Sequence, residues 1–211
     1  MAGKYLKAIH VSKEGKAPDK KKEKLTWQQN LTLYVHDLMY LLAIVMVIFL
    51  LVFRIIVVTG GSMRQTLLDG DYLLLLSNTF YKEPQRGDIV VISKKSFDNG
   101  KPIVKRVIAT EGQTVDIDFT QGIVYVDGMA LEEPYINSPT YLDEGVAFPL
   151  TVADGCIFVL GDNRGISRDS RSPDIGLIDK REVLGKALYL IFPGTDEGQQ
   201  PQDFSRTGAI Q

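Results

Sequence analysis

The chain is poor in the side chains that most often carry out catalysis. It has one cysteine, Cys156, so no internal disulfide can form. It has two histidines, His10 and His36, both ahead of a long apolar run. If that run crosses a membrane, no imidazole is left on its far side. Ser-His and Cys-His catalysis within the chain are then excluded, as is any histidine-bearing metal site. Charge is missing too. No charged residue occurs from Leu38 to Phe53, "LMYLLAIVMVIFLLVF", and extension through Val58 gives about the 20 residues that a membrane-crossing helix needs. Arg54 falls near the far end, where a long side chain reaches the headgroups. A cleaved leader fits poorly, because a long polar head precedes the run and no sensible small-x-small site follows it.

Charge is distributed unevenly over the 211 residues. Residues 1–36 hold eight lysines against Glu14, Asp19 and Glu23, a surplus of five, which leaves −7 for the rest of a chain whose net charge is −2. A basic head and an acidic body argue against a nucleic-acid partner and for attraction to the inner leaflet of a bilayer. The positive-inside rule puts the head in the cytoplasm and residues 59–211 outside. The expected organisation is a basic tail (1–36), a transmembrane helix (37–58), an exposed domain (59–192) and a polar, unpacked tail (193–211).

The exposed domain reads as mainly β, with an antiparallel sheet. Short β-like runs recur: "DYLLLLS", "DIVVIS", "PIVKRVIA", "QTVDIDF", "GIVYV", "CIFVLGD" and "VLGKALYLIF". Asp127-Gly128, between "IVYV" and "MAL", is a strong tight-hairpin signal. Residues 130–153 are richer in Pro, Glu and Tyr and read as a looser excursion.

Three segments bear on chemistry. "TGGSMRQTLLDGD" (59–71) presents Ser62 on a glycine-loosened backbone directly after the apolar run. It is either a nucleophile or a turn before a strand. Arg64 breaks the Gly-x-Ser-x-Gly pattern of a nucleophile elbow. A serine without histidine needs a lysine base, whose pKa near 10.4 must be brought down to about 7–8 by desolvation. "PIVKRVIA" embeds such a lysine: with strand period 2, Lys105 shares a face with Ile103, Val107 and Ala109. Pattern alone lets Arg106 point inward equally well, although arginine cannot serve as a base. "GDNRGISRDSR" (161–171) reads by default as a solvated charged loop, yet Asp169 and Arg171 are spaced to form a bidentate pair. Cys156 opens an apolar strand and fills core.

Taken in order after an N-terminal span, "SMRQTL", "RGDIVVIS", "KRVI" and "GDNRGISRDSR" resemble bacterial type I signal peptidase, the membrane-bound Ser-Lys leader peptidase family. The resemblance covers residues 36–192. It implies Ser62 as nucleophile, Lys105 as general base and the Ser62 backbone N–H as an oxyanion donor. It also implies that Gly60 and Gly61 shape the substrate site; small apolar pockets would follow, with Met63 expected as one wall. Ser167 would orient the lysine, and Asp162, Asp169 and Arg171 would hold the surrounding loop. The family fold is antiparallel β with an inserted β subdomain, matching residues 114–155. Its substrates are preproteins bearing signal peptides; no cofactor or metal is implied, and the chain is expected to act as a monomer in the bacterial cell membrane. The sequence departs from the family at Gln65, where proline is usual, at Ala109, Glu111 and Gln113, and at Gly60, which offers no hydroxyl as a second oxyanion donor. Two rivals share features with this reading. A self-cleaving repressor-type Ser-Lys protein would be soluble and DNA-binding, against the anchor. A catalytically impaired, membrane-tethered β module that binds exported chains would explain the departures but not the retention of both Ser62 and Lys105.

Overall fold

A computed structural model describes residues 26–195 and 202–210. Most of the basic head, His10 included, lies outside the described residues. The chain divides at Ile44/Val45 into two units. Helix α1, Trp27–Val52, is 26 residues long, carries Gln28, Asn30, Thr32, His36 and Asp37 in its first part and is apolar on all sides from Leu38; from Asn30 onward it is long and apolar enough to cross a membrane. It starts ten residues earlier than the pattern suggests and ends six earlier. The β-branched run "RIIV" goes to strand β1 (Phe53–Val57), paired in register with β2 (Tyr72–Ser77) from Phe53↔Leu76 to Val57↔Tyr72.

The larger unit is mainly β, as expected. Beyond β1 and β2 its strands are β3 (Ile89–Ile92), β4 (Ile103–Thr110), β5 (Thr114–Asp118), β6 (Ile123–Val126), β7 (Met129–Ala130), β8 (Leu150–Thr151), β9 (Cys156–Leu160), β10 (Ile178–Asp179), β11 (Val183–Phe192) and β12 (Gly208–Ala209). The main sheet runs β1-β2-β11-β3-β4-β9-β10, with β12 on β11. A second sheet, β7-β6-β5-β8, draws every strand from residues 114–151. All the pairings are antiparallel. The β6–β7 turn has Asp127 and Gly128 both at positive φ, the backbone that a tight two-residue hairpin needs.

Strand β4 positions the site. Flanked by β3 and β9, it is buried on both faces from Val104 to Ala109, which explains its unbroken apolar character. Lys105 lies opposite Val90 and Arg106 opposite Ile89. The expected face of Ile103, Lys105, Val107 and Ala109 holds only as far as Val107. A bulge between Val107 and Ala109 shifts the register against β9, so Ala109 joins Phe158 and Val115 in a different cluster from Val107.

The polar tail is not unpacked. In its described part, β12 pairs with β11 and Arg206 forms an ion pair with Asp71.

Candidate active site

Ser62 sits in the loop joining β1 to β2. Two bonds close that loop at its base: Val58 N–H donates to the Asp71 carbonyl at 2.8 Å, and Gly70 N–H to the Val58 carbonyl at 3.0 Å. Above the base, Gly60 adopts φ +87°, where a side chain would be strained, and its N–H donates to Asp69 Oδ1 at 2.7 Å. A turn follows Ser62, with Leu67 N–H donating to the Met63 carbonyl at 2.8 Å. Met63 and Leu67 anchor this turn in the core against Leu73, Ile89 and Val104. Met63, expected as a wall of the substrate site, is only 1% exposed: its long apolar side chain is drawn into the core beneath the turn. Gly60 and Gly61 do line an open cleft, together with Thr59, Arg64, Asp69 and Ile166.

The structure brings Lys105 to Ser62. Lys105 Nζ donates to Ser62 Oγ at 2.8 Å, from a side chain only 3% exposed. Burial pushes the ammonium down from its usual range to about 8, since taking the charge out of water disfavours the protonated form. Asp169, Glu144 and Asp162 pull the other way and Arg171 assists the fall, but desolvation prevails. With a pKa near 8, roughly a tenth of the lysine is free base at neutral pH. In that form it can accept the Ser62 hydroxyl proton.

Residues 161–171 form no solvated loop; they wrap the Lys105–Ser62 contact. Arg171 makes a two-pronged pair with Asp169 (Nε–Oδ1 and Nη2–Oδ2, both 2.9 Å) and also donates to the carbonyls of Leu142, Arg164 and Ser167. Both side chains are fully buried. Asp169 Oδ2 also accepts from Gly161 N–H at 3.0 Å, which ties the two ends of the loop together. Asp162 accepts from both Nε and Nη2 of Arg106, at 2.9 and 2.8 Å, and from Thr66 Oγ1 at 2.5 Å. Ser167 is buried beside Ser62, and its Oγ has no hydrogen-bond partner among the described residues. It packs over Gly161 so closely that a Cβ there would fall 2.1 Å from Ser167 Oγ and 2.6 Å from the Ser62 carbonyl oxygen.

Several site residues escaped the sequence reading. Asn163 brackets Ser62: its N–H donates to the Ser62 carbonyl at 2.9 Å and its Nδ2 to the Gly61 carbonyl at 3.0 Å, while Asn137 Nδ2 donates to its Oδ1 at 2.9 Å. Arg164, fully buried, is held by Glu133, Thr140 and the Gly161 carbonyl. The Arg106 guanidinium stacks 3.9 Å over the Tyr135 ring. Glu144 lies 3.5 Å from Arg171, and burial raises its carboxyl above the usual range. The only available signal was the crowding of arginines in 161–171 opposite an acid- and tyrosine-rich excursion.

Residues 31–192 match the family described as signal peptidase, peptidase S26. The chain belongs to that family. Among similar proteins, the probable signal peptidase I-1 of Synechocystis sp. (strain ATCC 27184 / PCC 6803 / Kazusa) is 38% identical over 67% of this chain and 72% of its own length. Signal peptidase I of Bacillus licheniformis is 35% identical over 85% of this chain and 95% of its own. A crystal structure of a signal peptidase I from Enterococcus faecalis V583 shares 33% identity, with a TM-score of 0.40, covering 50% of this chain and 97% of that one. Membership bears out the family and the enzyme class expected from the motifs: the chain is a peptidase of the signal peptidase kind. Ser62 and Lys105 both fall inside the matched range; residues 202–210 fall outside it.

Proposed function

We propose that the protein is a membrane-anchored serine endopeptidase that removes signal peptides from exported preproteins after a small-x-small site. Ser62 is the nucleophile and Lys105 the general base. The observation that carries this reading is the 2.8 Å contact between a hydroxyl and a lysine almost wholly removed from water. In the free-base form, Lys105 Nζ accepts the proton as Ser62 Oγ attacks the scissile carbonyl carbon. The resulting ammonium then gives that proton to the departing amine, leaving a Ser62 acyl ester. Lys105 Nζ, neutral again, then takes a proton from water, which attacks and hydrolyses the ester.

The oxyanion site follows from Asn163. In a trans peptide the C=O and the next N–H point in opposite directions. With the Gly61 carbonyl held by Asn163 Nδ2, the Ser62 N–H is turned away from Asn163 and left free to donate to a developing oxyanion. The open backbone at Gly60 and Gly61 suits an extended substrate lying beside the nucleophile. Ser167, Asp162, Asp169 and Arg171 act as supports that hold the loop around the dyad. The Lys-rich head and α1 support a single-pass orientation with the head cytoplasmic and the β domain on the outer face of a bacterial cell membrane, where signal peptides emerge. Monomeric action needs no partner residue at the dyad, and the acidic body makes nucleic acid an unsuitable partner.

The test is direct. Detergent-solubilised protein is incubated with a preprotein and with the same preprotein altered at its small-x-small site. Cleavage that needs the intact site and is lost in Ser62→Ala is expected; a folded Ser62→Ala protein that still cleaves would sink the reading.

A further inference from the structure

The nucleophile loop rests on a carboxylate, Asp71, that is completely buried. Its oxygens accept from Leu68 N–H and Gly194 N–H, each at 2.7 Å, while its backbone carbonyl closes the loop through Val58. A fully buried carboxylate is costly unless a cation faces it. Among the described residues the balancing charge comes from Arg206, which meets Asp71 with two prongs, Nη1–Oδ1 at 3.0 Å and Nη2–Oδ2 at 2.7 Å.

Arg206 belongs to the C-terminal segment beyond the stretch shared with the family. That segment is fastened at several points. Phe204 stacks edge-on against Phe192, which stacks in turn against Tyr72. Strand β12 pairs with Tyr189 and Leu190 of β11, and Ile210 N–H donates to the Leu188 carbonyl at 3.0 Å. The Ile210 side chain packs on the cluster that contains Met63 and Leu67. The chain leaving β11 presses on the same base: a Cβ on Gly194 would fall 2.0 Å from the Asp69 carbonyl oxygen.

We infer that residues 202–210 are a clasp and that Arg206 is a positioning residue for catalysis, acting through Asp71 on the loop that presents Ser62. The route is continuous. Arg206 holds the Asp71 carboxylate, which holds Leu68 N–H; the neighbouring Asp69 holds Gly60 N–H two residues before Ser62. Arg206 touches no reacting atom. Its effect is to keep Ser62 Oγ where Lys105 and the substrate carbonyl require it, and displacement of reacting groups by about 1 Å costs up to 100-fold in rate. The inference rests on Ser62 being the nucleophile.

The experiment uses the full chain in detergent with a preprotein substrate, at a temperature where circular dichroism shows each variant folded. Arg206→Gln is expected to lower kcat by roughly tenfold or more and leave KM within about twofold, because neither Arg206 nor Asp71 lines the cleft. Asp71→Asn should behave alike, and the double variant should be no worse than Asp71→Asn alone, the non-additivity of residues acting as a unit. Arg206→Lys keeps the charge but loses the fork, so its kcat should fall between wild type and Arg206→Gln; it carries the test if Arg206→Gln does not fold. Wild-type kcat in either folded variant, losses that multiply in the double variant, or an effect confined to KM would overturn the inference. A Ser62→Ala control separates the two failures. If it is inactive while Arg206→Gln turns over normally, only the clasp falls; if it is active, the nucleophile assignment falls first.

Discussion

Asp162 joins the segments that carry Ser62 and Lys105. One carboxylate receives Arg106, the neighbour of Lys105 on β4, and Thr66, four residues after Ser62. Both members of the Arg106–Asp162 pair are almost fully buried, so each offsets the cost of taking the other out of water.

Removing one partner should therefore expose the full cost of the other. Arg106→Met is expected to lose about 3–5 kcal/mol of stability, the range for breaking a buried ion pair. Thermal denaturation followed by circular dichroism measures it. Activity should fall as well, since the strand and the loop lose their common anchor. An unchanged melting temperature would mean that Asp162 is already compensated without Arg106.

Gly161→Ala makes a sharper geometric claim. The new methyl cannot avoid both Ser167 and the Ser62 carbonyl, and the latter is backbone. Turnover should drop by at least tenfold, the reacting atoms being displaced by a good fraction of an ångström. Steady-state kinetics on a folded variant checks it. Gly165→Ala is the matched control in the same loop, because its methyl meets nothing within 4 Å.

These contacts differ in how legible they were in the sequence. The mainly β fold could be read from apolar runs separated by turn residues, and the Asp127-Gly128 hairpin from turn chemistry alone. The end of α1 could not, because "FRIIV" is apolar enough for a bilayer and β-branched enough for a sheet; pairing with β2 decides it. Period-2 reasoning offered Lys105 or Arg106 as the inward residue. It failed because β4 is buried on both sides, so both point into protein, one to Ser62 and one to Asp162. The C-terminal clasp was illegible for another reason. Its residues are polar in sequence, and the carboxylate that orders them lies 135 positions away. The four motifs carried the family, whereas Asn137, Glu133 and Tyr135 lie in an excursion whose composition says only that it is loose.

Orientation yields a test that needs no kinetics. Protease added to intact cells or right-side-out vesicles should digest the β domain and spare residues 1–25. Digestion of the basic head alone would invert the topology and place Ser62 and Lys105 on the cytoplasmic face, away from emerging signal peptides.

The lysine provides the most demanding prediction. With its pKa pushed down to about 8, the limb of the rate profile governed by the free base should rise with pH and level off above about 8. Glu144 holds that value up, since its carboxylate favours the ammonium. Glu144→Gln should therefore move the limb to lower pH, a shift that a purely structural loss would not produce. Stability follows from the same linkage. Between about 8 and 10.5 the unfolded chain binds a proton at this lysine that the folded chain has released, so Lys105 makes the protein more stable as pH rises through that window. Below it, folding carries the full penalty of a buried ammonium. Lys105→Arg keeps the charge and cannot give up a proton at any accessible pH. Cleavage should fall to background at every pH, and the rise in stability between 8 and 10.5 should vanish with it. Cleavage at the wild-type rate by a folded Lys105→Arg protein would remove Lys105 from the chemistry, leaving its 2.8 Å contact with Ser62 as packing alone.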